Sequence, residues 1–366
     1  MPGLFTRKRL AAIVAAGGLL VFTAVFATQA TAPTSRADLQ PTRMQAKTAR
    51  NVVDLLDELH YEHRKLDDAL SAQIFDRYLK DLDGQRLYFL ASDIQRFQPQ
   101  RVSFDNALKR GEVKGAFDIF NRYQQRARER LQFVIAEIDK GVTKMDFTVT
   151  DDMEINREKA AWATTPAALD ELWRKRIKAA ALSLRLAGKT DAEIQKTLGK
   201  RYRSQLNTMM RTKSDDAFQV FMNSFSETYD PHTEYFSPRT QENFNINMSL
   251  SLEGIGAVLQ SEDEFTKIVR LVPAGPADKG KQLKPGDRIV SVAQADKEFM
   301  DIVGWRIDEV VELIRGPKGT TVRLQVIPAG SMDETQTRTI SIVRNTVKLE
   351  DQAAQKKILT IKLNSQ

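Results

Sequence analysis

The chain has 366 residues, enough for two or three domains with a substantial core. Its 55 basic and 48 acidic side chains nearly balance and are spread along the chain, which argues against nucleic acid as a partner. Cysteine is absent, so disulfides and thiolate metal sites are excluded.

The N-terminus has the composition of a secretory leader. Three basic residues, 7–9, precede an uncharged and mostly apolar run over residues 10–27, and small residues follow up to Ala32. We therefore expect a signal peptide over residues 1–30 and a periplasmic location. A retained membrane anchor is the alternative, because this run is about the shortest that crosses a bilayer. The leader would then be the only membrane contact.

Residues 31–240 are predicted to form a mainly α-helical domain. Apolar residues recur at helical spacing in segments that begin near Asn51, Asp67, Glu112 and Pro166. Thr190 and Glu193 have the spacing of a capping box for a further helix. These apolar stripes indicate core-facing surfaces, and no catalytic role is assigned to them.

The histidines give a weak indication of a metal site. Asp230, His232 and Glu234 alternate in a polar segment, but two prolines and the lack of a fourth ligand argue against metal binding. His60 and His63 could share a helical face, yet no third ligand accompanies them, so a surface or capping role is expected. No metal site is predicted.

Two glycines, one residue apart, stand immediately before an apolar strand in Gly254-Ile255-Gly256-Ala257-Val258. Glycine permits positive φ and close approach, so such a turn can direct successive N–H groups at one carboxylate. The strand that follows offers an edge with which an extended peptide can pair. Taken alone, the glycines are explained equally well by a tight turn or a bulge.

The next elements follow in a regular order. Alternating apolar residues predict strands over residues 267–272, 288–292 and 322–326. Apolar residues over 302–314 predict a helix, and Gly316-Pro317 stops it because proline cannot continue a helix.

Residues 245–330 resemble a PDZ domain of the bacterial kind. The resemblance rests on the order and spacing of the motifs GIGA, VPAGPA, KPGDRIVSV, VVELIRGPKGT and VRLQVI. The resemblance implies that backbone amides at residues 254–257 hold the terminal carboxylate of a ligand. A peptide would add to the strand at residues 257–260. The opposing groove wall would be one face of the helix, at Ile307, Val311 and Ile314. Ordinary core packing is the alternative for each of these three.

Further motifs extend the resemblance to nearly all residues after the leader. The chain resembles the periplasmic branch of the carboxy-terminal processing peptidases, or tail-specific proteases. The resemblance rests on the helical domain, the segment Asp230-Pro231-His232-Thr233 before the PDZ region, and the motifs LEGIGAVLQ and VKLEDQAA. This implies binding of C-terminal tails of unfolded or precursor proteins, an adaptor protein as a further partner, no cofactor, and a structural role for His232. It also implies hydrolysis by a serine nucleophile and a lysine base in a following domain.

That hydrolytic part has no counterpart in the sequence. The chain contains neither Ser-x-x-Lys nor Gly-x-Ser-x-Gly, and residues 331–366 are interpreted as a linker and the first strand of a protease domain. No catalytic residue is assigned. We expect an α+β multidomain chain, with a helical domain followed by a PDZ-like sandwich or partial barrel with flanking helices. It would be the substrate-recognition half of a protease, inactive alone. A stand-alone periplasmic peptide-binding adaptor is the alternative.

Overall fold

The computed structural model describes residues 37–331, 336–349 and 356. The predicted signal peptide and the predicted first strand of a protease domain lie outside these residues. The chain divides into two compact units between Asp38 and Leu39, and every element below belongs to the second unit. None of the helices that the structure describes is long and apolar enough to cross a membrane.

The first part of this unit is helical, as the sequence predicts. The helices are α1 Arg43–Leu59, α2 Asp68–Asp83, α3 Ala91–Phe97, α4 Phe104–Arg110, α5 Lys114–Asp139, α6 Pro166–Leu186, α7 Asp191–Met210, α8 Ser214–Ser226 and α9 Pro238–Ser249. Short 3₁₀ turns lie at Gln98–Val102 and Val142–Lys144. Local caps set several boundaries. Asp67 accepts the first N–H groups of α2, and Thr190 with Glu193 caps α7. Thr42 and Gln45 form a capping box that begins α1 earlier than expected.

Two apolar clusters hold these helices together. The first cluster is rich in aromatic side chains. Its fully buried members include Phe75, Tyr78 and Phe221. The second packs α6 and α7 against the C-terminal half of α5, around Trp173 and Leu198. Because α5 has 26 residues, it extends about 39 Å and contributes side chains to both clusters.

The part after α9 consists of antiparallel sheets with flanking helices, which confirms the expected fold class. The strands are β1 Ser251–Gly254, β2 Ala257–Glu262, β3 Phe265–Leu271, β4 Arg288–Gln294, β5 Met300–Asp301, β6 Thr321–Ile327, β7 Arg338–Val343 and β8 Asn345–Lys348, and the helices are α10 Pro276–Gly280 and α11 Ile307–Ile314. The main sheet has the order β2-β3-β4-β6-β7, with β5 beside β4, while β1 pairs with β8. β2 therefore forms one edge of the described main sheet.

The structure differs from the sequence expectation at two places in this part. Residues 300–301 pair with β4, so the helix expected from residue 302 begins only at Ile307. Residues 338–348 form β7 and β8 instead of a linker. The reason is burial, because Ile340 and Ile342 alternate into the same apolar core as β4 and β6.

His60 is buried rather than exposed, which corrects half of the sequence expectation. It is the C-cap residue of α1, as a capping role requires. Its Nδ1 accepts the Glu62 N–H, so Nε2 donates to Asp230 Oδ2 at 2.9 Å. Hydrogen bonds from Thr233, His60 and the His232 amide hold the pKa of Asp230 well below its usual range. Within the described residues, no group of three or more histidine and acidic side chains could hold a metal ion.

Asp93 ties the start of α3 to α5 through two arginines. The carboxylate is 2 % exposed and lies 2.6 Å from Arg122 Nε and 2.8 Å from Arg126 Nε. Burial opposes its ionisation, but hydrogen bonds from Arg126, the Leu90 amide and Arg122 prevail and lower the pKa of Asp93. The carboxylate is therefore a charged link inside the helical domain.

We expect Asp93→Asn to lower the free energy of unfolding at pH 7 by about 3 kcal/mol, because two shielded guanidinium groups lose their counter-charge. Urea unfolding measures this. Since the pKa of Asp93 is depressed, its contribution is complete above about pH 4 and is lost as the pH falls further, so the difference from the parent chain shrinks in acid. Asp76→Asn is the matched control, because Asp76 is 57 % exposed in its pair with Arg101 and should matter by less than about 1 kcal/mol. Equal losses in both variants would contradict the prediction.

Candidate peptide-binding site

A groove runs between the edge strand β2 and the helix α11. Its cavity is about 270 Å³. Most of its lining comes from the glycine loop with β2, the C-terminal half of α11 and the end of α9. The lining residues include Gly254, Ile255, Gly256, Ala257, Val258, Leu259, Val311, Ile314, Arg315, Ile246 and Asn247. Of the site residues predicted from sequence, the structure brings all but Ile307 to this cavity.

The loop at the end of the groove is fixed by two backbone hydrogen bonds. The Ile255 carbonyl accepts the Ala277 N–H at 2.8 Å, and the Gly256 carbonyl accepts the Val272 N–H at 2.8 Å. In a trans peptide the C=O of one residue and the N–H of the next point in opposite directions. The N–H groups of Gly256 and Ala257 are therefore turned away from these two partners.

Successive N–H groups of this loop have no hydrogen-bond partner among the described residues. In the part of the chain that the structure describes, neither Ile255 N–H nor Gly256 N–H has an acceptor. Ala257 stands opposite Leu271 in a non-hydrogen-bonded pair, so its N–H also points away from β3. A shielded N–H without a partner costs free energy, and a carboxylate placed here would satisfy several of them at once.

Glycine is required at position 256 for two reasons. Its φ is +75°, in the left-handed region that side chains disfavour. In addition, a Cβ atom there would lie 3.2 Å from the Gly275 Cα and 3.4 Å from Val347 Cγ2. The loop thus depends on close contact with the turn before α10.

The helix α11 forms the apolar wall opposite β2. Val311 is half-buried and lines the cavity, and Ile314 is buried in the core while also reaching the cavity. The sequence left core packing and groove lining as alternatives for this residue. Ile314 does both. Ile307 lies in the first turn, is half-buried, and is not part of the cavity wall.

Arg344 supports this wall and was missed by sequence reasoning. It is buried and donates to the carbonyls of Leu313 and Ile314 at 3.0 and 2.8 Å. These carbonyls end α11, where the helix dipole favours a cation. Burial lowers the pKa of Arg344. The one sequence signal was a lone arginine directly after the strand-like segment 340–343.

Two serines of the main sheet do not line this groove. Ser291 lies in β4 and Ser341 in β7, and neither side chain hydrogen-bonds to a lysine or histidine within the described part of the chain. The volume of the groove, about 270 Å³, does not distinguish it, because another cavity of about 320 Å³ lies between α10 and β7. Its distinguishing feature is the loop that presents unpaired amides.

Comparison with known proteins gives a consistent result. A family model for the tail-specific protease N-terminal domain matches residues 52–239, and one for the PDZ domain matches residues 243–327. The tail-specific protease of Haemophilus influenzae is 43 % identical over 300 residues, which are 82 % of this chain and 42 % of that protein. The carboxy-terminal processing protease CtpA of Bacillus subtilis is 34 % identical over 123 residues, which are 33 % of this chain and 24 % of that protein.

Two solved structures are also similar. The PDZ domain of a carboxy-terminal protease from Vibrio cholerae, solved in complex with a peptide, is 51 % identical over 27 % of this chain and 100 % of its own, with a TM-score of 0.26. The photosystem II D1 C-terminal processing protease is 19 % identical over 40 % of this chain and 38 % of its own, with a TM-score of 0.27. The chain spans less than half the length of the two proteases from Haemophilus and Bacillus. Since the N-terminal family model alone matches half of the chain, the chain belongs to the tail-specific protease family.

Proposed function

We propose that this chain is the substrate-recognition part of a C-terminal processing protease and that it binds the C-terminal tails of other proteins. The observation that carries the proposal is the set of successive N–H groups at Ile255, Gly256 and Ala257, at the end of a groove bordered by the edge strand β2. Family membership supports it, because the relatives are proteases named for their action on protein tails.

In this proposal the tail enters as an extended strand. Its backbone pairs with the open edge of β2, and its terminal carboxylate accepts charge-assisted hydrogen bonds from the loop amides. The last side chain lies against Val311 and Ile314, where a small or aliphatic group fits and a charged one would lose hydration without a partner. Tails of unfolded or precursor proteins meet these requirements, because they are extended and accessible.

The proposal assigns binding to these residues and assigns no step of hydrolysis to them. The 366 residues contain no Ser-x-x-Lys motif, so we propose that the chain by itself binds tails without cleaving them. A periplasmic location, supported by the composition of residues 1–30, is part of the same proposal.

A direct test compares two forms of one unstructured peptide with apolar C-terminal residues. We expect the free acid to bind the full chain and the C-terminal amide to bind at least about tenfold more weakly, because the amide loses charge-assisted hydrogen bonds to the loop. Isothermal titration calorimetry measures both affinities. Equal affinity would exclude carboxylate capture.

The glycine loop is tested by Gly256→Ala. We expect this variant to lose peptide binding, because the new Cβ meets Gly275 at 3.2 Å and displaces the amides. Gly330→Ala is the matched control, since Gly330 has a similar φ of +77° and no atom of the described residues lies within 4 Å of the new Cβ. Both variants should lose about 1–2 kcal/mol of folding free energy from the left-handed backbone, and only the first should lose affinity. Retained binding in Gly256→Ala would contradict the assigned loop.

The helical wall is tested by Val311→Asp. We expect about tenfold weaker binding of the free-acid peptide, because a carboxylate in the apolar wall loses hydration and repels the carboxylate of the tail. Val343→Asp is the control, because Val343 is 57 % exposed on β7, at the other edge of the sheet. Competition against a labelled peptide measures both, and an equal effect of the two substitutions would argue against this groove.

A further inference from the structure

Four charged side chains form a closed ring at the start of α11. Arg306 Nη1 lies 2.5 Å from Asp216 Oδ2, and Arg306 Nη2 lies 2.9 Å from Asp308 Oδ2. Arg239 Nη2 lies 3.1 Å from Asp216 Oδ1, and Arg239 also pairs with Asp308. Each arginine therefore contacts both aspartates, and the ring has no net charge.

The ring joins the N-termini of three helices. Asp216 is in the first turn of α8, where its carboxylate also accepts the Lys213 N–H at 2.7 Å. Arg306 is the N-cap residue of α11, Asp308 lies in the first turn of α11, and Arg239 lies in the first turn of α9. The N-termini of α8 and α11 favour Asp216 and Asp308 respectively, and the two arginines neutralise this pair of acids.

The ring is shielded enough to be a firm contact. Its four side chains are between 21 and 29 % exposed, so solvent screens them less than it screens a surface ion pair. Burial opposes the ionisation of Asp216 and Asp308, but hydrogen bonds from Arg306 prevail and lower the pKa of both carboxyl groups.

Neighbouring contacts secure the same end of α11. Arg306 Nη1 donates to the Arg211 carbonyl at 3.0 Å, and Arg211 Nη1 donates to the Trp305 carbonyl at 3.3 Å. Lys213 pairs with Glu309 in the next position of the helix. The helical domain thus contacts successive residues at the beginning of α11.

The opposite end of this helix forms the groove. α11 has eight residues, and Val311 and Ile314 line the cavity. Val311 lies about 7.5 Å along the helix axis from Arg306. A displacement of the helix at the ring therefore also displaces the groove wall. We propose that the ring of Asp216, Arg239, Arg306 and Asp308 is a positioning device through which the helical domain sets the place of α11 and thereby the affinity of the groove for a C-terminal tail. This inference rests on the proposed function.

A second ion pair between the same two regions provides the matched control. Lys200 of α7 lies 2.8 Å from Asp263, in the turn between β2 and β3, and the two side chains are 63 and 55 % exposed. This pair contacts no part of α11. Its loss should leave the groove unchanged, whereas loss of the ring should not.

The test measures affinity of the full chain for the free-acid peptide in the parent and in five variants. Arg306→Met and Asp216→Asn should each weaken binding about tenfold, because the competent position of α11 becomes a minor state. The side-chain oxygen of asparagine can still accept the Lys213 N–H at the start of α8. The double variant should bind no more weakly than either single one, since both break the same ring. Arg306→Lys should restore part of the affinity, because lysine keeps the charge without the planar fork. Lys200→Met should bind like the parent.

Circular dichroism establishes that each variant is folded, and if Arg306→Met is not, Arg306→Lys and Asp216→Asn carry the test. Parent-like affinity in the folded ring variants would overturn the inference and leave the proposed function intact. Additive losses in the double variant, or an equal loss in Lys200→Met, would also overturn it. Absence of binding by the parent chain would instead overturn the proposed function and this inference with it.

Discussion

The orientation of two peptide planes in the glycine loop is the constraint on which the site depends. Because the carbonyls of Ile255 and Gly256 accept the N–H groups of Ala277 and Val272, the next N–H groups of the loop point away from these two partners. The left-handed conformation of Gly256 makes this arrangement possible at close range to the turn before α10. The carboxylate site that we propose would thereby be built from backbone alone, without a charged side chain at its centre.

The wall opposite this loop is a short helix that is held at both ends by arginines. At its N-terminus Arg306 binds aspartates, which that end of a helix attracts. At its C-terminus Arg344 donates to the last carbonyls of the helix, where the dipole itself supplies the negative charge. Between these ends Val310 packs into the core. An eight-residue helix would be marginal in isolation, so these tertiary contacts account for its order.

The helical domain contributes to the groove through its last segments. His60, at the end of α1, binds Asp230 across 170 positions of sequence and fixes the turn that leads towards α9. α9 then borders the groove through Ile246 and carries Arg239 into the ring at α11. The family resemblance implied a structural role for His232, but Asp230 of the same segment makes the long-range bond to His60.

The sequence by itself determined the features that depend on neighbouring residues. Helix caps such as Asp67, the alternation of the strands and the glycine loop around Gly256 follow from local hydrogen bonding and backbone sterics, so they can be read within a few positions. Only the tertiary structure decided that Arg306 meets Asp216, 90 positions away, and that Arg344 ends α11. Charged pairs between distant segments leave no periodic pattern in the sequence, because the packing of those segments determines which side chains meet.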